Sequence, residues 1–298
     1  MQDRRNLLAR AAGRPRDAGR RKALALLGAL GTLVPARHAM GAPGGLPSNT
    51  GHADASPEWD KLRAKLYGDR KVDAASGRVQ LIAPLRAAYG ASVPVKIVSK
   101  LAQTPELYVK RVVLLVDKNP SPIAATIELT PELGQADFET RLRVDEYSHV
   151  RVVAELSDGT LHTDARYVKT SGGCSAPPNR DALHLIGKTV FKLPEGAKPG
   201  ATNLAEVTVI HPNDTGFELN NQTVMFIPPH FVRSIKVSYA DKLLFDADLD
   251  FSLSENPTLR FHFVGRPGMQ ELRAEVEDSK EQRFVGRLPV QPGMAAAT

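Results

Sequence analysis

One residue of this 298-residue chain offers nucleophilic sulfur chemistry: Cys174, its single cysteine. It cannot close an internal disulfide, so it is a buried inert thiol, half of an intermolecular bond, or a reactive group. Its surroundings, Ser171-Gly172-Gly173-Cys174-Ser175-Ala176-Pro177-Pro178, show no apolar period, which predicts that no core face claims the thiol and that it is exposed. Gly172 and Gly173 remove side-chain bulk and permit backbone angles closed to other residues, so a partner's cleft can admit the loop. Pro177-Pro178 stiffen the return path. Lys169 and Arg180 are cations near it in sequence, but nothing in the sequence places them beside it, and an ordinary thiol pKa of about 8.5 is expected.

Other chemistry-bearing residues form weaker patterns. His211 and His230 stand beside prolines and read either as hydrogen-bonded loop histidines or as groups that approach the thiol or orient a loop. His149, His162 and His184 have no metal-ligand spacing with one another or with Cys174, and no metal is expected. Gly187-Lys188-Thr189 copies the end of a phosphate-binding loop, but Ala182 stands where that motif needs its first glycine, so a turn or the start of a strand is predicted. Asp246, Asp248 and Asp250 share one strand face and lack the glycine and distal glutamate of a calcium loop. No Ser/His/Asp signature, Cys-x-x-Cys pair or dinucleotide fingerprint occurs, so neither catalysis nor a cofactor is expected.

The elements that must position these residues are strands. Ser56, Pro57 and Gly68 bracket a short helix with Trp59, Leu62 and Leu66 on one face. After it the period is two: Val93/Val95/Ile97, Leu142/Val144 opposed by Arg141/Arg143, and Val150/Val152/Ala154/Leu156. Val112–Val116 is continuously apolar, as in a strand covered on both faces. The pattern resumes in Val207/Val209, Ile235/Val237/Tyr239, Leu243/Phe245/Ala247/Leu249/Phe251, Leu259/Phe261/Phe263 and Leu272/Ala274/Val276. His262 then points away from the core. Two such blocks predict an all-β chain of two immunoglobulin-like antiparallel β-sandwich domains in tandem, each with its own core, with the cysteine segment between them.

The formal charge of +6 is local to the N-terminus. Residues 1–40 hold nine basic and two acidic residues, leaving 30 basic and 31 acidic in the rest. That balance gives no footprint for nucleic acid. Arg20-Arg21-Lys22, the apolar run Ala23–Val34 and small residues at Ala39, Gly41 and Ala42 read as a signal peptide of the twin-arginine kind, with a periplasmic destination. The run is too short to anchor in a membrane. The expected organisation is signal peptide 1–42, flexible lead-in 43–57, first sandwich 58–170, cysteine loop and linker 171–182, second sandwich 183–290 and tail 291–298.

Several stretches carry a family resemblance. APLRAAYGASVPVKI (83–97), VDKNPSPIAA (116–125), TRLRV (140–144) and SDGTLHTDARYVKTSGGC (157–174) resemble SoxY, the sulfur-carrying subunit of periplasmic thiosulfate oxidation. HPNDTG (211–216), IPPHFV (227–232) and SENPTLRFHFVG (254–265) resemble its partner SoxZ. The order resembles fused SoxYZ-like carriers associated with periplasmic quinoprotein dehydrogenases. That resemblance implies Cys174 as the covalent attachment point for a sulfur-containing intermediate and Gly172-Gly173 as the carrier arm. It implies internal pairing of the two halves, and sulfur-oxidation-type enzymes or a quinoprotein dehydrogenase as partners. The alternative it leaves is an accessory or assembly subunit of such a dehydrogenase with an incidental thiol. SoxY ends in Gly-Gly-Cys-Gly-Gly, whereas here Ser175-Ala176-Pro177-Pro178 and a second block follow, tethering the arm at both ends.

Overall fold

Helix α1 (Pro57–Tyr67) forms where its signals stand. Ser56 Oγ accepts the N–H of Trp59 at 3.0 Å, Pro57 opens the first turn, and Gly68 ends the helix at φ 57°. The computed structural model describes residues 55–74, 76–220 and 222–293. The signal peptide expected over 1–42, nearly all of the lead-in and the end of the tail lie outside the described residues.

The first half contributes β1 (Val72–Asp73), β2 (Val79–Ile82), β3 (Val93–Ser99), β4 (Val109–Val116), β5 (Ile123–Leu129), β6 (Phe138–Leu142), β7 (Ser148–Leu156) and β8 (Leu161–Val168). The second contributes β9 (Thr189–Lys192), β10 (Thr202–Val209), β11 (Leu219–Asn220), β12 (Met225–Phe226), β13 (Val232–Tyr239), β14 (Lys242–Leu249), β15 (Thr258–Val264), β16 (Gln270–Asp278) and β17 (Arg283–Val290). A nine-stranded sheet runs β1-β8-β7-β4-β5-β14-β13-β16-β17, and a six-stranded sheet runs β2-β3-β6-β15-β10-β9. The chain is all-β and of the sandwich kind, with β1–β8 the one parallel pairing among the described strands.

The expectation of separate cores is corrected. Both sheets pass from one half into the other, at β5–β14 (Leu129 opposite Phe245 to Ala125 opposite Leu249) and at β6–β15. One buried apolar cluster runs through both, from Val79 and Leu114 to Phe261 and Val276. Joining β5 to β14 satisfies two strand edges that would otherwise present unpaired N–H and C=O groups.

The continuously apolar run is indeed covered on both faces. Val112, Leu114 and Val116 enter the large cluster, while Val113 and Leu115 pack with Trp59 in a smaller one. Arg151, itself buried, stands 4.3 Å over the Trp59 ring and bonds Asp117 at 2.9 Å. Ser56 Oγ donates to the same carboxylate at 2.8 Å, so the cap of α1 is fastened to the sheet.

Phe261 and Phe263 are buried and His262 half-buried, as expected. In β14 the period slips at a bulge beside Val237/Ser238, so Leu244 rather than Leu243 is fully buried. Gly187 is a turn residue with φ 85° and Thr189 begins β9, in accord with the turn or strand start predicted there.

Candidate functional site

Cys174 lies where three backbone segments converge. The residues after β6 run back past Gly90, and residues 171–174 lie on top of them. Val144 donates to Gly90 O at 2.8 Å, Gly173 donates to Val144 O at 3.1 Å, and Gly172 donates to Asp145 O at 2.8 Å. The approach is close enough to require glycine twice. A Cβ on Gly173 would stand 2.4 Å from Gly90 O and 2.5 Å from Val144 O, and one on Gly90 would stand 2.5 Å from Ser171 O. Gly172 and Gly173 therefore do not leave the loop free; Gly173 lets it pack.

Side chains from both halves hold that packing in place. Cys174 donates its N–H to Asp145 Oδ1 at 3.1 Å, and its carbonyl accepts from Thr215 Oγ1 at 2.6 Å. Arg143, only 1% exposed, sends Nη1 to Gly173 O (3.0 Å) and Ala176 O (3.1 Å) and Nη2 to Asn213 O (3.3 Å). Its Nη2 also lies 4.0 Å from the buried Glu218 carboxylate. Glu218 in turn accepts the N–H groups of Thr215 (3.0 Å) and Gly216 (3.1 Å), fixing the loop that carries Thr215. On the other side Asn119, from the DKNPSP stretch, donates to Arg143 O (2.8 Å) and accepts from Asp145 N (3.0 Å).

The expected exposure of Cys174 is overturned: the residue is 1% exposed. The loop lacks apolar anchors, but backbone hydrogen bonds and one buried guanidinium close it instead. The ordinary thiol pKa expected there is corrected with it. Burial first, and the Asp145 carboxylate second, push the thiol from 9.0 to about 12. Arg143 pulls the other way, and Glu218 and Asp250 add to the rise. A thiolate there gives up hydration and meets negative neighbours, so the closed form holds an unreactive thiol. Of the cations near it in sequence, Arg180 pairs with Asp214.

His211 and His230 come together, with their Nε2 atoms 3.3 Å apart and their rings at 79°. They meet Asp278, and it is Thr215 on the same 211–216 loop that reaches the Cys174 segment. Burial and the neighbouring His230 lower His211 to about 4. Sequence reasoning missed Arg143, Asp145, Thr215 and Glu218. Period-two alternation put Arg143 on a polar face, yet it sits one residue past the end of β6, where the second half covers it.

Two surface features flank the closed loop. An open cleft of about 570 Å³ is lined by Arg86, Tyr147, Lys169 and Ser171. The hairpin β11–β12, next to Glu218, exposes Val224 (77%), Met225 (68%) and Phe226 (64%).

Residues 63–174 match the family of the sulfur oxidation protein SoxY, and residues 191–289 match that of the sulphur oxidation protein SoxZ. The chain is a fused SoxY–SoxZ family protein. Its SoxY half ends, by that match, at Cys174. Among solved structures, the sulfur carrier protein SoxY from Chlorobium limicola f thiosulfatophilum is 24% identical over 38% of this chain and 91% of its own, with a TM-score of 0.32. A superoxide reductase (neelaredoxin) from Ignicoccus hospitalis is 10% identical over 30% of this chain and 77% of its own, at a TM-score of 0.28. Fibronectin(III)-like modules of Clostridium thermocellum CbhA cover 72% of this chain and 93% of their own at 11% identity and a TM-score of 0.22. No curated protein matches the chain. No described helix is long and apolar enough to cross a membrane.

Proposed function

We propose that the protein is a periplasmic carrier, not a catalyst, that holds a sulfur-containing intermediate covalently on Cys174 and presents it to partner enzymes. The observation that carries this reading is the coincidence of the sole cysteine with the end of the SoxY match, directly after Gly172-Gly173. Its burial gives the carrier two states. In the closed state Arg143, Asp145 and Thr215 hold the arm down, while burial and the Asp145 carboxylate keep the thiol protonated. In the open state the arm swings on Gly172, at φ 70° and exposed, and the thiol returns to ordinary acidity. Joining the thiol to a reduced sulfur anion forms one S–S bond, releases the thiol proton and sends two electrons to an oxidising partner. That partner must therefore open the arm as well as accept electrons. The exposed β11–β12 hairpin beside the loop supplies apolar surface for such a partner, and Arg86 and Lys169 supply positive charge for anionic cargo.

Intact mass of the protein recovered from its native periplasm tests this directly. An adduct removed by reductant and absent from Cys174→Ala supports the carrier, and an unmodified mass under sulfur-oxidising growth refutes it. The export route has its own test, because Arg20-Arg21→Lys-Lys should block translocation of a twin-arginine precursor.

The burial of Cys174 also favours a second reading, an accessory or assembly subunit for a periplasmic quinoprotein dehydrogenase with an incidental thiol. The two separate on Cys174→Ala, which abolishes function in a carrier and preserves partner binding and function in a scaffold.

A further inference from the structure

Three donor atoms that are far apart in sequence converge beneath the 211–216 loop. His211 Nε2 and His230 Nε2 are 3.3 Å apart, His230 Nε2 and Asp278 Oδ2 are 2.8 Å apart, and His211 Nε2 and Asp278 Oδ2 are 3.8 Å apart. All three residues are buried. A triangle with those edges has a circumscribed radius of about 2.0 Å. An ion standing slightly out of its plane would sit about 2.0–2.1 Å from each atom, the length of zinc–imidazole and zinc–carboxylate bonds.

The groups around the three atoms aim them at one another. Asp278 Oδ1 already accepts the N–H groups of Lys280 (2.8 Å) and Gln282 (3.0 Å), which keeps the carboxylate ionised and aims Oδ2 at the imidazoles. Asn213 donates its N–H to His211 Nδ1 at 3.0 Å, so neutral His211 carries its proton on Nε2, towards His230. His230 Nε2 lies 2.8 Å and His211 Nε2 3.8 Å from Asp278 Oδ2, so two imidazoles converge on one carboxylate oxygen. A divalent cation in place of those protons would have three lone pairs pointing at one positive charge. His211 must move its proton to Nδ1 and give up the hydrogen bond from Asn213, one bond lost against three coordinate bonds gained.

We propose that His211, His230 and Asp278 form a mononuclear divalent transition-metal site matched to zinc, with water or another ligand in the fourth position. Two imidazoles and one carboxylate on one triangular face are a donor set of borderline-soft metals rather than of calcium or magnesium. The support around it is that of a built site. Asp278 is pinned by two backbone N–H groups, and His230 is pinned by backbone bonds to Asp214 in both directions (2.7 and 3.0 Å). The ion would tie the end of β16 to the 211–216 loop, and through Thr215 to the Cys174 segment.

The test uses the full chain stripped with chelator and then titrated with zinc alone against a chromophoric competitor, with cobalt as the spectroscopic probe. The expected result is one equivalent bound at sub-micromolar Kd, with cobalt d–d bands of low coordination number and no thiolate charge-transfer band. Asp278→Asn and His230→Gln should each weaken zinc by about 100-fold or more, while Cys174→Ser leaves it unchanged. Circular dichroism of each stripped variant checks the fold, and His211→Gln replaces any variant that does not fold. The proposal is overturned if the folded wild-type chain binds zinc no more tightly than micromolar. It is equally overturned if binding survives all the ligand variants, or if it disappears with Cys174→Ser.

Discussion

Thr215→Val removes one fastening of the closed arm, together with the acceptor of the Phe217 N–H within its own loop. Thr215 Oγ1 donates to Cys174 O at 2.6 Å, and valine keeps the shape while removing the donor. The buried carbonyl is then left without that partner, a cost of about 1–3 kcal/mol to the closed form, which corresponds to about 5- to 150-fold more open arm. The thiol itself reports the opening. With its pKa at about 12 rather than 9.0, the closed thiol supplies about a thousand-fold less thiolate at neutral pH, so labelling proceeds through the open fraction. The assay is the pseudo-first-order rate of maleimide modification of Cys174 in native buffer, normalised to the rate in urea, which should be the same for both proteins. Wild type should label far more slowly than its unfolded chain, and the variant faster by the factor above. A wild-type thiol that labels as fast as the unfolded chain would refute the closed arm. A slow thiol whose rate ignores Thr215→Val would refute the assigned fastening.

Gly173→Ala should hold the arm open, because its Cβ would meet Gly90 O at 2.4 Å; labelling should approach the unfolded rate with the far-UV spectrum unchanged. Because the folded pKa of Cys174 lies above its unfolded value, the folded chain holds the thiol proton more tightly. That contribution is complete below pH 9.0 and is lost as pH rises towards about 12, so the urea midpoint of wild type should fall more steeply above pH 9.0 than that of Cys174→Ala. Trp59→Ala empties the smaller cluster and removes the ring under Arg151; chemical denaturation should show a loss of about 3–5 kcal/mol. Proteolytic nicking within 175–182 should leave the halves associated on gel filtration, since β5–β14 pairing and the shared core do not depend on that link.

The strand-rich character, the helix with its cap and stop, and the family motifs were all legible in the chain. Each is a local property: Ser56, Pro57 and Gly68 act within a few residues, and alternation such as Val93/Val95/Ile97 records which face of one strand is buried. The doubly covered run Val112–Val116 was legible for the same reason, since a strand buried on both faces has no polar side to show. The bulge in β14 was not, because an inserted residue shifts the period without any mark in composition.

The environment of the thiol belongs to the tertiary structure. Local composition around Cys174 describes only what the loop lacks, whereas its burial comes from Gly90, Arg143 and Thr215, which lie 84, 31 and 41 residues away in the chain. Arg143 shows the limit most plainly. Alternation assigns it to solvent, but the side chain enters a space that exists only once the second half has packed, where three carbonyls accept its Nη groups and the Glu218 carboxylate lies 4.0 Å away. His211, His230 and Asp278 likewise have no ligand spacing in sequence and meet because β13 neighbours β16 in the sheet and the 211–216 loop pairs with His230 through Asp214. Sequence alone determined the kinds of element and the one residue able to carry sulfur. Which groups surround that residue, and whether it is open or closed, depended on contacts between segments that no local pattern encodes.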